Sequence, residues 1–366
     1  MSACDREQAL SVVLRSFLPE TARVVQIGRL GSGRINDTFL VTLADHLPLV
    51  VQRINDDVFS DPICVAENVG AVTAHLTGYR QQSGAAERFP CLVAARDGAS
   101  CAVDQDGGIW RVMEYISGTV SHRSVESTGR AFEVGRMLGR FHRLADDFDA
   151  SVLCPPIPGF HDLPAYCQAW QRVATGHSRN DSPAVRHCCR QVERRLADAD
   201  LLVRAYRRGE LSRRLIHGDP KCDNILFDCD TDRAVALIDL DTVSPGLLLW
   251  DLGDCLRSVC NPAGERPTDR QSTTFELELC RAVLEGYRAS GAALPEAERR
   301  LLFQGVRLLT FELAVRFFTD YLAGDRYFKI DSPEDNLDRA QVQFELLAHI
   351  ERQQAAIESL IAGIWG

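Results

Sequence analysis

The chain has 366 residues, 45% of them hydrophobic and 25% charged, and a formal net charge of −10. That length is long for a single core and suits two lobes, and the composition is that of an ordinary globular protein. An acidic balance with no compensating basic run excludes a nucleic-acid-binding surface, and no window approaches the roughly 18 apolar residues a membrane span requires.

The N-terminal stretch MSACDREQALSVVLRSF is charged and amphipathic, without the apolar core of a signal peptide, so a cytoplasmic location is expected. Strands are predicted over residues 24–27, 37–43 and 49–54, with the loop Arg29-Leu30-Gly31-Ser32-Gly33-Arg34 between the first two. Pro62 opens a segment whose Val65, Val69, Val72 and Leu76 fall at helical spacing. Two further strands are predicted near 100–103 and 109–115, around the turn Asp106-Gly107-Gly108. Beyond Ser117 the periodicity is mainly helical, with helices predicted over 131–144, 165–173, 275–287, 296–322 and 336–361. The pattern predicts an α+β chain: a small antiparallel-sheet lobe over 1–116 and a larger, mostly helical lobe over 117–366. The thirteen cysteines form no C-x-x-C pair and are odd in number, so reduced, buried thiols are expected.

The helical half is interrupted by LIHGDPKCDNILFD (residues 215–228) and VALIDLDTVSPGLLLWDLGD (residues 235–254). Each contains a short apolar run that delivers acidic or amide side chains at its end, and burying carboxylates together without a cation is costly. The order H-x-D-x-K-x-x-N, then I-D, supplies what phosphoryl transfer from ATP needs. Asp219 is the expected base for the attacking hydroxyl, and Lys221 the cation reaching the γ-phosphoryl. Asn224 and Asp239 are the expected Mg²⁺ ligands, with Asp241 helping indirectly or touching a second ion. His217 and Asp251 read as braces of the loop backbone. Gly31-Ser32-Gly33 between two strands suits either a phosphate-cradling loop or a hairpin turn, and the catalytic segment downstream favours the first. The third strand has no lysine; Arg53, with Gln52 in reserve, is the expected cation for the α- and β-phosphates. Glu67 reads equally as an ion-pair partner for Arg53 and as a solvated surface acid. Glu114, Tyr115 and Ile116, at the lobe junction, are expected to read adenine through their backbone.

H-x-D-x-x-x-x-N, I-D and Trp250-Asp251-Leu252-Gly253 together resemble the protein-kinase-like superfamily, in its aminoglycoside phosphotransferase and choline kinase branch. Within that branch the chain is similar to the N-acetylhexosamine 1-kinases. The similarity rests on G-x-G-x-I-N-D-T at 31–38, Q-R-I-N at 52–55, I-D-L-D-T at 238–242 and R-F-x-T-D-Y-L-x-G-D-x-Y-F-K at 316–329. The resemblance implies a two-lobed kinase fold that phosphorylates the anomeric hydroxyl of an N-acetylhexosamine. It places Arg316, Asp320 and Tyr327 at the sugar along with Asp219, although Arg316 and Asp320 could equally form a surface pair at i, i+4. Position 34 is Arg where the family loop has His, which puts Arg34 at the sugar or a phosphate and leaves the hexose open. Other acceptors on the same fold are a different sugar, an aminoglycoside or a choline-like alcohol; a silent nucleotide-binding regulator is the reading from another class. The expected partner is a small-molecule sugar, with neither nucleic acid nor membrane, acting as a monomer or dimer.

Overall fold

The computed structural model describes residues 10, 12–31, 35–83, 87–175 and 182–366. A short helix α1 (residues 12–17) precedes β1 (Val24–Arg29), β2 (Asp37–Leu43) and β3 (Leu49–Arg53). Helix α2 (Pro62–Ser83) then leads to β4 (Leu92–Val93), β5 (Ala102–Val103) and β6 (Ile109–Glu114). These strands form one antiparallel sheet in the order β1-β2-β3-β6-β4, with β5 paired to β6. Side chains alternate across a strand, so the sheet has two distinct faces. Phe39, Val41, Leu49, Val51, Trp110 and Val112 form one face, packed with Val13, Leu14 and Phe17 of α1. Thr38, Gln52 and Arg111 therefore lie on the other. The apolar stripe expected on α2 is buried, with Val65, Val69, Val72 and Leu76 each 1% exposed or less.

The larger lobe begins with β7 (Thr119–Ser121), so the expected boundary at 116/117 falls between β6 and β7. It continues through helices α3 (Thr128–Leu144), α4 (Leu163–Ala174), α5 (Pro183–Glu193) and α6 (Leu201–Arg207). Strands β8 (Arg213–Ile216), β9 (Ile225–Asp228), β10 (Ala234–Leu237) and β11 (Ser244–Leu247) follow. The chain ends in α7 (Leu248–Val259), α8 (Leu277–Ala289), α9 (Glu296–Ala323), α10 (Asp335–Arg352) and α11 (Gln354–Trp365). The strands pair as β10-β9-β7 and β11-β8. Helix α9 is apolar on nearly every side and runs through the lobe core against α4, α7 and α10. It stops at Gly324, whose left-handed φ of 94° lets its N–H turn back to the Asp320 and Tyr321 carbonyls.

Two expectations are corrected and three helices are added. The helix predicted over 336–361 is two, α10 and α11, divided at Gln353, whose side chain donates to the Phe275 carbonyl at 2.8 Å. No Gly or Pro marks that break, so periodicity runs through it. Helices α5, α6 and α7 carry no expectation from sequence; in α7 the leucine run after β11 conceals the change from strand to helix. Cys64 and Cys154 form a disulfide, against the expectation of reduced thiols. Their Cα atoms are 6.2 Å apart across a separation of 90 residues, a proximity that cysteine spacing cannot reveal.

That disulfide ties α2 to the larger lobe. Asn68, one turn beyond Cys64, donates to the Cys154 carbonyl at 2.7 Å and accepts the Cys154 N–H at 3.2 Å. His75 bonds the Leu144 carbonyl at 3.1 Å and Asp147 at 3.0 Å. Among the described residues no helix is long and apolar enough to cross a membrane.

Candidate active site

Strands β8 and β9 end and begin at Ile216 and Ile225, so residues 217–224 form the connection between them. Nearly every polar backbone group around the expected base is held. The His217 N–H donates to Asp251 Oδ2 at 2.7 Å and the Gly218 N–H to Asp251 Oδ1 at 2.8 Å. The His217 carbonyl accepts from Thr242 Oγ1 at 2.7 Å, and the Asp219 N–H donates to His217 Nδ1 at 3.2 Å. His217 Nε2 in turn donates to the Ile238 carbonyl at 2.9 Å. With one ring nitrogen donating and the other accepting, His217 is a neutral imidazole, and burial pushes its pKa down. Gly218 takes a φ of 87°, and a Cβ there would stand 2.8 Å from the Thr242 carbonyl, so no other residue fits without a shift.

Asp251 is itself buried and anchored. His142 Nε2 lies 2.8 Å from its Oδ2, and His142 Nδ1 lies 2.9 Å from the Tyr287 hydroxyl. Burial alone would raise this carboxyl, but the His142 hydrogen bond and charge hold it below the usual range. His217 and Asp251 thus brace the loop, as their positions suggested.

Asp219 Oδ2 accepts from Lys221 Nζ at 2.7 Å and, more weakly, from Asn224 Nδ2 at 3.3 Å. Burial would lower the Lys221 pKa, but the charges of Asp219, Asp239 and Asp223 outweigh it, so the side chain stays an ammonium. Asn224 Nδ2 also donates to the Asp219 carbonyl at 2.8 Å, which leaves its Oδ1 as the free acceptor. Asp239, just past β10, has a left-handed φ of 64°. Such backbones cost of order 1–3 kcal/mol and cluster at functional sites. Burial, then the charge of Asp241, push its carboxyl up to about 7. The residue nevertheless remains open to solvent, and a carboxylate repelled by the neighbouring Asp241 suits a divalent ion, which would offset that charge. Among the described residues no three His, Cys, Asp or Glu side chains form a ligand set, so phosphate oxygens and water would complete the coordination.

Asp241 is engaged differently. It pairs with Arg111, and its Oδ2 accepts from Asn36 Nδ2 at 2.6 Å. Arg111 is 1% exposed and also donates Nε and Nη2 to Gln52 Oε1 at 3.0 and 2.7 Å. Gln52 Nε2 donates to Thr38 Oγ1 at 3.0 Å, and Asn36 Oδ1 accepts the Asn55 N–H at 3.0 Å. The buried pair therefore bolts the sheet and the loop before β2 to the turn that carries Asp239. With each oxygen already accepting one hydrogen bond, Asp241 is an interlobe brace, the indirect role expected as one of its two readings.

The strand register also moves the expected cation. Gln52 pairs with Arg111 across β3 and β6, whereas Arg53 pairs with Trp110 on the α1-covered face and makes a 3.7 Å ion pair with Asp56. Arg53 is thus turned away from Asp241, and Arg111 is the cation on the cleft face. A lone arginine in the buried run IWRVME was the available signal. Glu67 is exposed and lines a 730 Å³ hollow with Ser16, Arg96 and Ser100, so the solvated reading holds over the ion pair. At the junction the Glu114 and Tyr115 N–H groups are spent on the Cys91 and Pro48 carbonyls at 2.9 and 3.1 Å. Gly31 is exposed with a φ of 70°, whereas Ser32, Gly33 and Arg34 lie outside the described residues.

On the distal side, Arg316, its side chain 14% exposed, sits in a cage of four rings. Its guanidinium carbon lies 5.2 Å from Phe160 and Tyr166, 5.5 Å from Phe328 and 5.8 Å from Tyr327. Glu312, one turn earlier, is 3.9 Å from its Nη1. Asp320 does not join this site. Its oxygens accept the N–H groups of Arg326, Tyr327 and Phe328, each at 2.9 Å, and it takes Asn336 Nδ2 at 3.0 Å. Asp320 shapes the turn that presents Tyr327, and it does not form the expected alternative pair with Arg316. Phe160 and Tyr166, which complete the cage, lie 156 and 150 residues upstream of Arg316 and carry no signal in sequence.

A family model described as the phosphotransferase enzyme family, APH, matches residues 26–290. The chain belongs to the APH phosphotransferase family. The match spans the sheet, the junction and the whole catalytic segment, and the protein is accordingly a kinase-like phosphotransferase of the protein-kinase-like superfamily. The fold is similar to that of an aminoglycoside phosphotransferase from Alicyclobacillus acidocaldarius at 16% identity and a TM-score of 0.63, covering 95% of this chain and 96% of that one. A microcompartment-associated aminopropanol kinase is similar at 17% identity and a TM-score of 0.57, over 98% and 99% of the two chains. A choline kinase from Cryptosporidium parvum is similar at 14% identity and a TM-score of 0.57, over 99% and 100%.

Proposed function

We propose that this APH phosphotransferase is an ATP-dependent sugar kinase that phosphorylates the anomeric hydroxyl of an N-acetylhexosamine. The observation that carries the acceptor class is the caged Arg316. Aromatic cages recognise quaternary ammonium and other cationic ligands by cation–π attraction. Here the chain's own guanidinium already occupies the cage, so a choline-like, aminopropanol-like or aminoglycoside cation would meet a like charge where its cage should be. A neutral polyol with an amide finds donors instead. The motif similarity at 316–329 supports the N-acetylhexosamine within that class.

In this reading Asp219 takes the proton of the attacking hydroxyl. Lys221, paired with Asp219 at 2.7 Å, swings to the γ-phosphoryl as charge develops there and frees the carboxylate for the hydroxyl. Asn224 and Asp239 hold Mg²⁺, which when bound neutralises charge on the phosphates. Arg111 takes the place of a strand cation, through Asp241 and Gln52. The Ile116 N–H, which has no acceptor among the described residues, is the junction donor left for adenine.

The test is ADP release against N-acetylhexosamines, hexoses, hexosamines, aminoglycosides and choline. N-Acetylhexosamines should turn over best, and their methyl glycosides, with the anomeric oxygen blocked, not at all. Efficient phosphorylation of a methyl glycoside moves the assignment to another hydroxyl; preference for choline or an aminoglycoside ends it.

A further inference from the structure

His161 has no part in the chemistry described so far. It precedes α4, has a left-handed φ of 59° and is 6% exposed. Its ring lies 4.0 Å from the Phe160 ring and 5.4 Å from that of Trp250, centroid to centroid. Bulky residues rarely adopt such a backbone, and the conformation persists only where the surroundings over-determine it. Here the ring is held at both nitrogens. Nε2 is 3.0 Å from the Gly218 carbonyl and Nδ1 is 3.1 Å from Glu312 Oε1.

A carbonyl can only accept, so Nε2 carries a hydrogen. The Glu312 carboxylate, which also faces Arg316, accepts as well, so Nδ1 carries the second. The ring is thus a buried imidazolium. The charged groups facing it are Glu312 and Arg316 on α9 and Asp254 on α7. Burial and Arg316 disfavour its charge, whereas Glu312 and Asp254 favour it and prevail, so its pKa stands above the usual histidine value.

We propose that His161 is a positioning residue for the base, a doubly hydrogen-bonded ring that couples the acceptor-side helix α9 to the peptide preceding Asp219. The coupling rests on the reading of Asp219 as base. Asp251 holds the N–H of the Gly218 residue and His161 holds its carbonyl, so the two fix the peptide planes on either side of Gly218. An acceptor drawn to Arg316 acts on Glu312 one helical turn away, and through His161 on the carbonyl next to Asp219. Charge on the ring is what makes both contacts. As pH rises through its raised pKa, one donor is lost and Nδ1 presents a lone pair to a carboxylate. The contribution is therefore fully present below the ordinary histidine pKa and is lost as pH rises through the raised one.

Kinetics and ring titration test this separately. ADP release is measured with N-acetylglucosamine and with water as acceptor, so that failure of the sugar reading leaves a usable rate. His161→Leu should lower kcat about 10- to 100-fold, the scale of a misplaced catalytic group, with the KM for ATP unchanged. His161→Gln, which keeps one donor, should recover part of it. Glu312→Gln, a near-isosteric change, should move the alkaline limb of kcat down by about one pH unit or more. The ring nitrogens of ¹⁵N-histidine-labelled protein should report an imidazolium at pH 6 that titrates at lower pH in Glu312→Gln, a readout that needs neither acceptor nor a folded His161 variant. A neutral His161 ring at pH 6, or wild-type kcat and pH profile in His161→Leu, overturns the proposal. An active Asp219→Asn enzyme overturns the base reading instead, and leaves the ring titration to judge the protonation state of His161.

Discussion

Asp219, Lys221 and Asn224 come from one stretch of eight residues, 217–224, whereas the cage around Arg316 takes Phe160, Tyr166, Tyr327 and Phe328 from separate segments. The first region is held through its backbone: Asp251, Thr242, His217 and His161 each hold a peptide group, and the reactive side chains stand on that frame. The second is built from side chains, one guanidinium among four rings, and only its Tyr327–Phe328 turn is fixed through peptide groups, by Asp320. A reaction that must place a proton acceptor against a phosphoryl group tolerates little displacement. Selection of an acceptor requires only that the wrong charge be unwelcome, which a side-chain cage achieves. On the proposed function, the difference teaches that the chemistry of this enzyme is local in the chain and its selectivity is not.

Substitutions on the two sides should therefore fail differently. The largest effect is expected from Asp219→Asn, with kcat lowered by about 10²-fold or more and ATP binding by titration calorimetry nearly unchanged. Retention of more than about a tenth of the rate rules Asp219 out as the general base. Asp239→Ala should come next, losing Mg·ATP affinity and turnover together, with Mn²⁺ recovering part; the check is the rate as a function of metal concentration. An unchanged metal dependence sinks the assignment of Asp239 and Asn224 as ligands.

On the acceptor side, Arg316→Ala should raise the acceptor KM about tenfold with kcat and the KM for ATP little changed, the pattern of lost uniform binding. It should also relax the bar against cations, so choline or an aminoglycoside becomes a better substrate or inhibitor than for the wild type. A defect confined to ATP would dissolve the contrast between the regions. The smallest effect on rate is expected from Cys64→Ser, since the disulfide joins α2 to the larger lobe away from both regions. Its loss should appear in stability, at about 2–4 kcal/mol in denaturant titration without reductant. Dithiothreitol should bring the wild type to the same midpoint and leave the variant where it is.

What the sequence made legible follows the same division. That Asp219, Lys221, Asn224 and Asp239 come together was readable because a strand–loop–strand segment converts spacing directly into geometry. Two-residue alternation gave the strand pattern of the sheet but not which of Gln52 and Arg53 faces the cleft, because period 2 is silent about direction until a helix covers one face. Once α1 packs on Val51 and Trp110, Arg53 is carried to that side and Arg111 becomes the buried cation.

By itself, then, the chain order determined a two-lobed architecture and a phosphoryl-transfer segment, since hydrophobic periodicity and local spacing act within a few residues. Tertiary structure alone decided that Asp241 braces the lobes, that Asp320 shapes a turn and that Cys64 meets Cys154. It also decided that His161 touches the loop of Asp219. Each of these joins groups far apart in sequence, and side chains with several possible partners take the one that folding brings within hydrogen-bond reach.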